Sequence, residues 1–319
     1  MFRRTSGALH GDLGARVLVI GDTIVDINHR GTPLRSAGVS LLRHKDSEVT
    51  LGGAAFLVRN MLALGGRVTF VTMFGSDEYS RYGNAWKHKN LNAIILTERA
   101  RSSTVKERFW AQNRKHLAWD RLDNRNISKA TEKKIASFVR KNAPKFDRIV
   151  VSDYRHGLLT RKLARALIHS ATRAAIPIYV DSQVAQRATN HLWYRGADLV
   201  IVNVHEARAI DSDFDENLIE KSAARVQAIL GCKNLIIKLG RRGSFAIVGP
   251  KRIRTPALAL TALDDTGAGD AFFAVIALSK TLSEATLKTA NAWAGLKTKL
   301  RGTKTPRLKE LQKVQKKGI

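Results

Sequence analysis

Short unbroken runs of branched apolar residues, each stopping at a polar one, recur along this chain and leave few folds open to it. The first is Arg16-Val17-Leu18-Val19-Ile20-Gly21-Asp22, a buried strand by composition that ends at a Gly-Asp turn. Residues 67–73, 148–152, 178–181, 199–203 and 234–238 repeat the pattern. Helical periodicity fills the intervals over residues 54–64, 161–174 and 217–230. The first of these closes on Gly65-Gly66, a pair that suits a helix C-terminus. Strands apolar on both faces and separated by helices predict a mostly parallel sheet covered on each side by crossover helices, an α/β domain. Asp22, Asp153, Asp181 and Asn203 stand where strands end. Open α/β sheets bind their ligands along that edge.

Two stretches break the rhythm. Residues 28–50 and about 92–122 alternate polar and apolar without a good helix, which predicts a small β lid over the main sheet. Residues 1–15 precede the domain, residues 16–305 form it, and residues 306–319 read as a basic tail. With 319 residues, 44% of them hydrophobic, the chain can build a large core without disulfides. Its single cysteine, Cys232, is best read as a buried thiol and fits a reducing compartment. A cytoplasmic location is expected. Met1-Phe2-Arg3-Arg4-Thr5-Ser6 leaves a mitochondrial or other organellar matrix as the alternative. No apolar run reaches the length of a membrane span.

The charge is unusual for an enzyme of small molecules. Lys and Arg total 55 against 27 acidic residues, for a formal charge of +28. A field of that size attracts polyanions and opposes self-association; the plainer reading is a solvated basic surface. The cations run through the second lid segment (Arg108, Arg114, Lys115, Arg121), then Lys133, Lys134, Arg140 and Lys141, and end in Lys313, Lys316 and Lys317. Phe109, Trp110 and Trp119 lie among the lid cations. The mixture suits phosphate contact with base stacking or, taken singly, the apolar underside of a lid. RNA or another polyanion is thus a candidate partner.

The densest chemical signal is Leu263-Asp264-Asp265-Thr266-Gly267-Ala268-Gly269-Asp270-Ala271-Phe272-Phe273. Its two glycines let backbone N–H groups turn inward around an anion, and a helix following them points its positive end at the same spot. Asp270, in the first turn of that helix, is placed to take a proton from a hydroxyl attacking a γ-phosphate. A bare Gly-x-Gly-Asp is more often a turn with a capping aspartate; the whole run is what points to phosphoryl transfer.

That run resembles the DTGAGD signature of the PfkB, ribokinase-like carbohydrate kinases, and the likeness extends over about residues 16–305. Gly52-Gly53-Ala54-Ala55 is similar to the family's other signature, where glycines admit a sugar close to the backbone. Among members, the heptose 7-phosphate kinases of lipopolysaccharide precursor synthesis are the nearest in look. The segments that carry this are residues 19–26, Thr104-Val105-Lys106-Glu107-Arg108 with Asp120, Val151-Ser152-Asp153-Tyr154 before Gly157-Leu158, and Ala290-Asn291-Ala292-Trp293-Ala294-Gly295 before Gly302-Thr303.

The resemblance implies a three-layer ribokinase-like fold, a mostly parallel central sheet with a small β lid, and ATP-dependent transfer to a sugar or sugar phosphate. It implies ATP and Mg²⁺, with a monovalent cation as a further candidate, and a homodimer through the lid. Asp270 would be the base, with Gly267, Ala268 and Gly269 holding the phosphoryl group. Asp26, Gly52, Gly53, Lys106 and Arg108 would meet the substrate. Asn203, Glu206, Lys238, Gly240, Gly243, Thr266 and Asn291 would serve the nucleotide, Glu206 organising the magnesium through water. From residue chemistry alone, Glu206 is as well read as a helix N-terminal charge.

Departures from the family fall mostly on the sugar side. Phe56 stands where a sugar-contacting asparagine is usual, and a sugar hydroxyl left unpaired against it costs about 1–3 kcal/mol. Gln183 replaces a cation after Asp181-Ser182, Ala118 an arginine two residues before Asp120, and Arg155 a small residue at the mouth of the site. Ser36-Ala37-Gly38-Val39 lacks the acid and prolines expected there, and Arg35 is a weaker phosphate-ligand candidate than Lys106 and Arg108. Two functions fit. A kinase is favoured by Asp26, Glu206 and Asp270 standing together. A catalytically weakened relative serving as an RNA-binding component of a ribonucleoprotein, such as an organellar ribosome, is favoured by Phe56, Ala118, Gln183 and the charge.

Overall fold

The computed structural model describes residues 15–34, 41–112, 114–185, 188–258 and 260–316. Expectations resting on residues 1–14, on Arg35 and Ser36-Ala37-Gly38-Val39, and on Lys317 lie outside the described residues.

The first apolar run becomes β1 (Arg16–Gly21), buried at every position after Arg16. A hairpin of β2 (Thr23–Leu34) and β3 (Leu41–Gly53) leaves its end, and α1 (Ala54–Ala63) brings the chain back to β4 (Arg67–Gly75). A short α2 (Ser80–Ala85) leads to β5 (Leu91–Glu98), and a second hairpin follows, β6 (Val105–Ala111) and β7 (Arg114–Arg121). Alternation then resumes with α3 (Lys129–Asn142), β8 (Arg148–Asp153), α4 (Arg161–Ala174) and β9 (Ile178–Ser182). A miniature hairpin of β10 (Val184–Ala185) and β11 (Ala188–Thr189) precedes β12 (Leu199–Asn203), α5 (Val204–Ile210), α6 (Ile219–Leu230) and β13 (Asn234–Lys238). The chain finishes with β14 (Ser244–Val248), β15 (Lys251–Thr255), α7 (Ala268–Leu278), α8 (Glu284–Thr298) and α9 (Leu308–Lys316).

Among the described residues, nine strands form the main sheet in the order β15-β14-β13-β12-β9-β8-β1-β4-β5. All neighbours are parallel except β13-β14 and β14-β15, which tight turns join as antiparallel pairs. The period of two along a strand divides the core into two layers. Val17 and Val19 face α1, α7 and α8 with Leu57, Phe273 and Trp293, whereas Leu18 and Ile20 face α3, α4 and α6 with Ile135, Leu163 and Val226. Full burial of such side chains contributes about 1.5–3 kcal/mol each. Cys232 is buried, as expected, and burial pushes its thiol up to about 12. No helix among the described residues is long and apolar enough to cross a membrane.

The lid is a four-stranded sheet, β3-β2-β6-β7. It is smaller than the sequence suggested: residues 92–98 do not belong to it. They lie in β5, which pairs in parallel with β4 from Val68↔Leu91 to Gly75↔Glu98 as the edge of the main sheet. An edge strand carries polar residues on its open side, which gave it the alternation of a lid strand.

The tail also departs from expectation. Residues 308–316 form α9, whose Leu308, Leu311 and Val314 lie against the core layer of α8, with Leu311 fully buried. Its charged side chains follow from one-sided burial, not from freedom in solvent. Among the described residues Arg101, Arg148 and Lys297 are buried. Arg148 donates to the carbonyls of Ile276, Ala277 and Ser279 at 3.1, 2.8 and 2.7 Å, closing the negative end of α7.

Candidate active site

The helix that carries Asp270 is anchored before it begins. Asp264 accepts from the Thr266 N–H at 3.0 Å and from the Gly302 N–H at 2.7 Å. The N–H groups of Leu263 and Asp264 reach the Thr298 carbonyl at 2.8 and 3.0 Å, so the loop is tied to the end of α8. Gly267 then takes φ 76° as the residue before α7, a left-handed conformation that L side chains resist. A Cβ there would overlap the ring of Phe56. Phe56 is therefore buried under the loop, and it is no part of an open sugar face. Behind it, the buried Lys297 ammonium donates to the Leu300 carbonyl at 3.0 Å and lies 5.9 Å from the Phe56 ring centre. Burial pulls that amine down from its ordinary range against the attraction of Asp264 and Asp270.

Every residue of α7 after Asp270 is apolar and buried, which fixes the helix and aims its first turn at the edge of the sheet. Asp270 accepts a hydrogen bond from the Tyr154 hydroxyl at 2.6 Å. Tyr154 is held in turn because buried Asp22 accepts from the backbone N–H groups of Tyr154, His156 and Leu158. Burial pushes the Asp270 carboxyl up to about 7, the Tyr154 hydrogen bond and Lys238 pull it back, and Asp181 and Asp26 push further. A base that titrates near neutrality is matched to proton abstraction at neutral pH.

Asp270 lines a cavity of about 210 Å³ with Gly267, Gly269, Tyr154, Asp181, Gln183, Asn203, Glu206 and Lys238. These residues come from the ends of β8, β9, β12 and β13 and from the starts of α5 and α7, the edge the sequence pointed to. Lys238 donates to Asp181 at 2.6 Å, and a Cβ on Gly269 would stand 3.3 Å from its Nζ. The ammonium thus faces the glycine cradle from across the cavity. Asp181 and Glu206 hold Lys238 above its ordinary range, to about 12, against its burial. Glu206 forms a capping box at α5: its Oε2 accepts from the Asn203 N–H at 2.6 Å, and Asn203 Oδ1 accepts from the Glu206 N–H at 2.9 Å. Glu206 is thus both part of the α5 cap and a lining residue of the cavity. Burial raises its carboxyl to about 7, with Lys238 opposing.

The sugar-side candidates gather around β2. A Cβ on Gly52 would overlap the Asp26 carboxylate across the β2–β3 pair, so glycine is what lets Asp26 sit there. Burial pushes Asp26 up to about 6 against Lys106, Arg108 and Arg59. Lys106 lies in register with Asp26 on one side and Asp120 on the other. Arg108 is taken up by Asp120 at 2.5 Å, and Ala118 lies opposite it on exposed β7. Gly53, at φ 60°, turns the chain from β3 into α1.

Other expected nucleotide residues do structural work. The Asn291 side-chain N–H₂ reaches Ser244 Oγ at 3.1 Å and Thr255 Oγ1 at 2.8 Å, tying α8 to β14 and β15. Gly240 and Gly243 frame the turn from β13 to β14. Tyr154, Asp181 and Lys297 were missed as site residues. Asp181 had a signal, its place at a strand end, whereas the Tyr154–Asp270 contact spans 116 positions and leaves no local pattern.

No three His, Cys, Asp or Glu side chains among the described residues gather into a metal cage. A magnesium ion held through its water shell by Glu206 fits the donor set, since such ions keep several waters and few protein ligands. The cradle of Gly267 and Gly269, at the positive end of α7 and opposite Lys238, fits phosphate oxygens.

Comparison with known proteins meets this geometry. Residues 15–310 match the pfkB family of carbohydrate kinases. The chain belongs to that family. Among curated relatives, the bifunctional protein HldE of Nitratiruptor sp. is 29% identical over 94% of this chain and 65% of its own length. HldE of Desulfatibacillum aliphaticivorans is 31% identical over 88% of this chain and 58% of its own. The chain thus spans about three fifths of the length of these relatives. Among solved structures, Escherichia coli phosphofructokinase-2 in complex with fructose-6-phosphate superposes with a TM-score of 0.77 at 15% identity, covering 94% of this chain and 98% of its own. Arabidopsis thaliana ribokinase complexed with ribose and ATP gives 0.74 at 18% identity with the same coverage. These likenesses establish the ribokinase-like fold.

Proposed function

We propose that this pfkB-family chain is an ATP-dependent kinase that phosphorylates a hydroxyl of a sugar phosphate, with heptose 7-phosphate the first substrate to try. The observation that carries the reading is the meeting of Asp270, the Gly267–Gly269 cradle and Lys238 in one cavity. Asp270 takes the proton of the attacking hydroxyl, whose oxygen bonds to the γ-phosphorus as the bond to the β–γ bridging oxygen breaks, and ADP leaves. The cradle amides and Lys238 stabilise charge on the transferring group. Magnesium, when bound, neutralises the nucleotide phosphates, and Glu206 would hold its water shell. Asp26 orients the sugar, and Lys106 is the better placed of the two lid cations for a substrate phosphate because Arg108 is engaged by Asp120. The RNA-bound structural role gains nothing from the comparisons, and a base still held by Tyr154 supports retained chemistry.

The test is ADP release with Mg-ATP across a panel of sugars and sugar phosphates, heptose 7-phosphate included. Turnover well above background with a sugar phosphate is expected. Equal background with every acceptor would refute the reading.

A further inference from the structure

The kinase reading employs Lys106 and Lys238 and leaves most of a net charge of +28 without a role. Elsewhere on the surface many cations meet acids: Arg30 meets Asp46 and Glu48, Arg208 meets Glu216, and Arg225 meets Asp211. The outer face of α3 and α4 differs. These helices flank β8 and pack together on one side of the sheet, and the cap of α4, Thr160, bonds Glu132 in the first turn of α3. Nine cations are exposed along them: Lys129, Lys133, Lys134, Arg140 and Lys141 on α3, and Arg161, Lys162, Arg165 and Arg173 on α4. The only acid in either helix is Glu132, which is buried and bonded to Thr160 and Lys162. At the margins, Asp123 and Asp147 are taken up by Arg125 and Arg16. Apart from Lys162, none of the nine has an acidic partner among the described residues.

The spacing is regular. Arg161, Arg165, His169 and Arg173 are exposed at intervals of four residues. At a rise of 1.5 Å per residue they make one row about 18 Å long. Duplex DNA carries one charge per about 1.7 Å of axis, so such a row faces about ten phosphates, half of them on the near side. An anionic bilayer would call for apolar side chains to insert, and a single strand for aromatic platforms. Neither is offered here. The exposed large hydrophobics all lie elsewhere, and Phe138, the only aromatic carbocycle on either helix, is turned into the core layer.

We propose that the α3–α4 face docks on the phosphate backbone of double-helical nucleic acid without reading its sequence. None of its residues lines the Asp270 cavity, so docking and phosphoryl transfer are separable.

The test is fluorescence anisotropy of the full chain with a short mixed-sequence RNA duplex and the matching DNA duplex across a salt series. The corresponding single strand, and phosphatidylcholine vesicles containing phosphatidylserine, are run beside them. Both duplexes are expected to bind, with a slope of log affinity on log salt of about −4 to −5 for roughly five phosphates. Arg165→Glu with Arg173→Glu should weaken duplex binding at least about tenfold and flatten the slope by about two, with ATP turnover and Tm unchanged. Lys251→Glu with Arg252→Glu on β15 makes the same change in net charge away from this face and should shift affinity by less than about twofold. Equal losses in the two double variants, tighter binding to the single strand or to vesicles, or no duplex binding would each overturn the proposal.

Discussion

Replacing Tyr154 by phenylalanine removes one hydroxyl and keeps the ring, so the perturbation is confined to the 2.6 Å hydrogen bond on Asp270. In the native chain burial pushes Asp270 up to about 7 while that hydroxyl pulls it down. Only the carboxylate can act as the base. With a pKa of about 7, kcat/KM should therefore fall tenfold per pH unit on the acid side, to about a tenth of its plateau one unit below. A hydrogen bond to a charged group contributes about 1.5–3 kcal/mol, and 1.36 kcal/mol is one pKa unit, so its loss should move the acid limb up by roughly 1–2 units. Taking the smaller shift, Tyr154→Phe should be about fivefold slower than wild type at neutrality and recover near pH 9. The assay is coupled ADP release at subsaturating acceptor and constant ionic strength over about pH 5.5–9.5. An acid limb that stays in place, or a loss of the same factor at every pH, would refute the claim that Tyr154 tunes the base.

The same raised pKa has a consequence for stability. Between the ordinary carboxylate range and about 7 the folded chain holds a proton on Asp270 that the unfolded chain has lost, so stability falls as pH rises through that window. Asp270→Asn should accordingly melt above wild type near pH 8 and with it near pH 4, by scanning calorimetry. Gly267→Ala would have to adopt φ 76° and displace the Phe56 ring, and kcat should fall at least about tenfold. Gly52→Ala displaces the Asp26 carboxylate, and steady-state kinetics should show a higher KM for the sugar with KM for ATP unchanged. Leu311→Ala should lower stability by about 2–5 kcal/mol in urea, with kcat unaltered in the folded fraction.

The parallel sheet could be read from the sequence because β1, β8, β12 and β13 are continuous apolar runs, and β12 and β13 begin and end where those runs do. The glycine cradle was equally legible, since a phosphate loop is local: Gly267, Gly269 and Asp270 lie within four positions. β5 was misassigned because its alternation is that of any strand with one open side, and only pairing with β4 tells which sheet it joins. α9 escaped because charge dominated its composition, although Leu308, Leu311 and Val314 recur at helical spacing. Phe56 was read as a defect of the sugar pocket, but packing places it beneath Gly267. The contacts that tune the site join residues far apart: Tyr154 with Asp270 across 116 positions, and Lys238 with Asp181 across 57. Such pairs are set by the crossover topology, which no local pattern records.

The most direct test of the account is single-turnover transfer of the terminal phosphate of Mg-ATP to heptose 7-phosphate, followed by ³¹P NMR, in wild type and Asp270→Asn. Transfer in the wild type with a drop of at least about a hundredfold in a fully folded Asp270→Asn is the predicted result. Transfer at equal rates in the two proteins would contradict the role given to Asp270, and with it the reading of this cavity as the site of phosphoryl transfer.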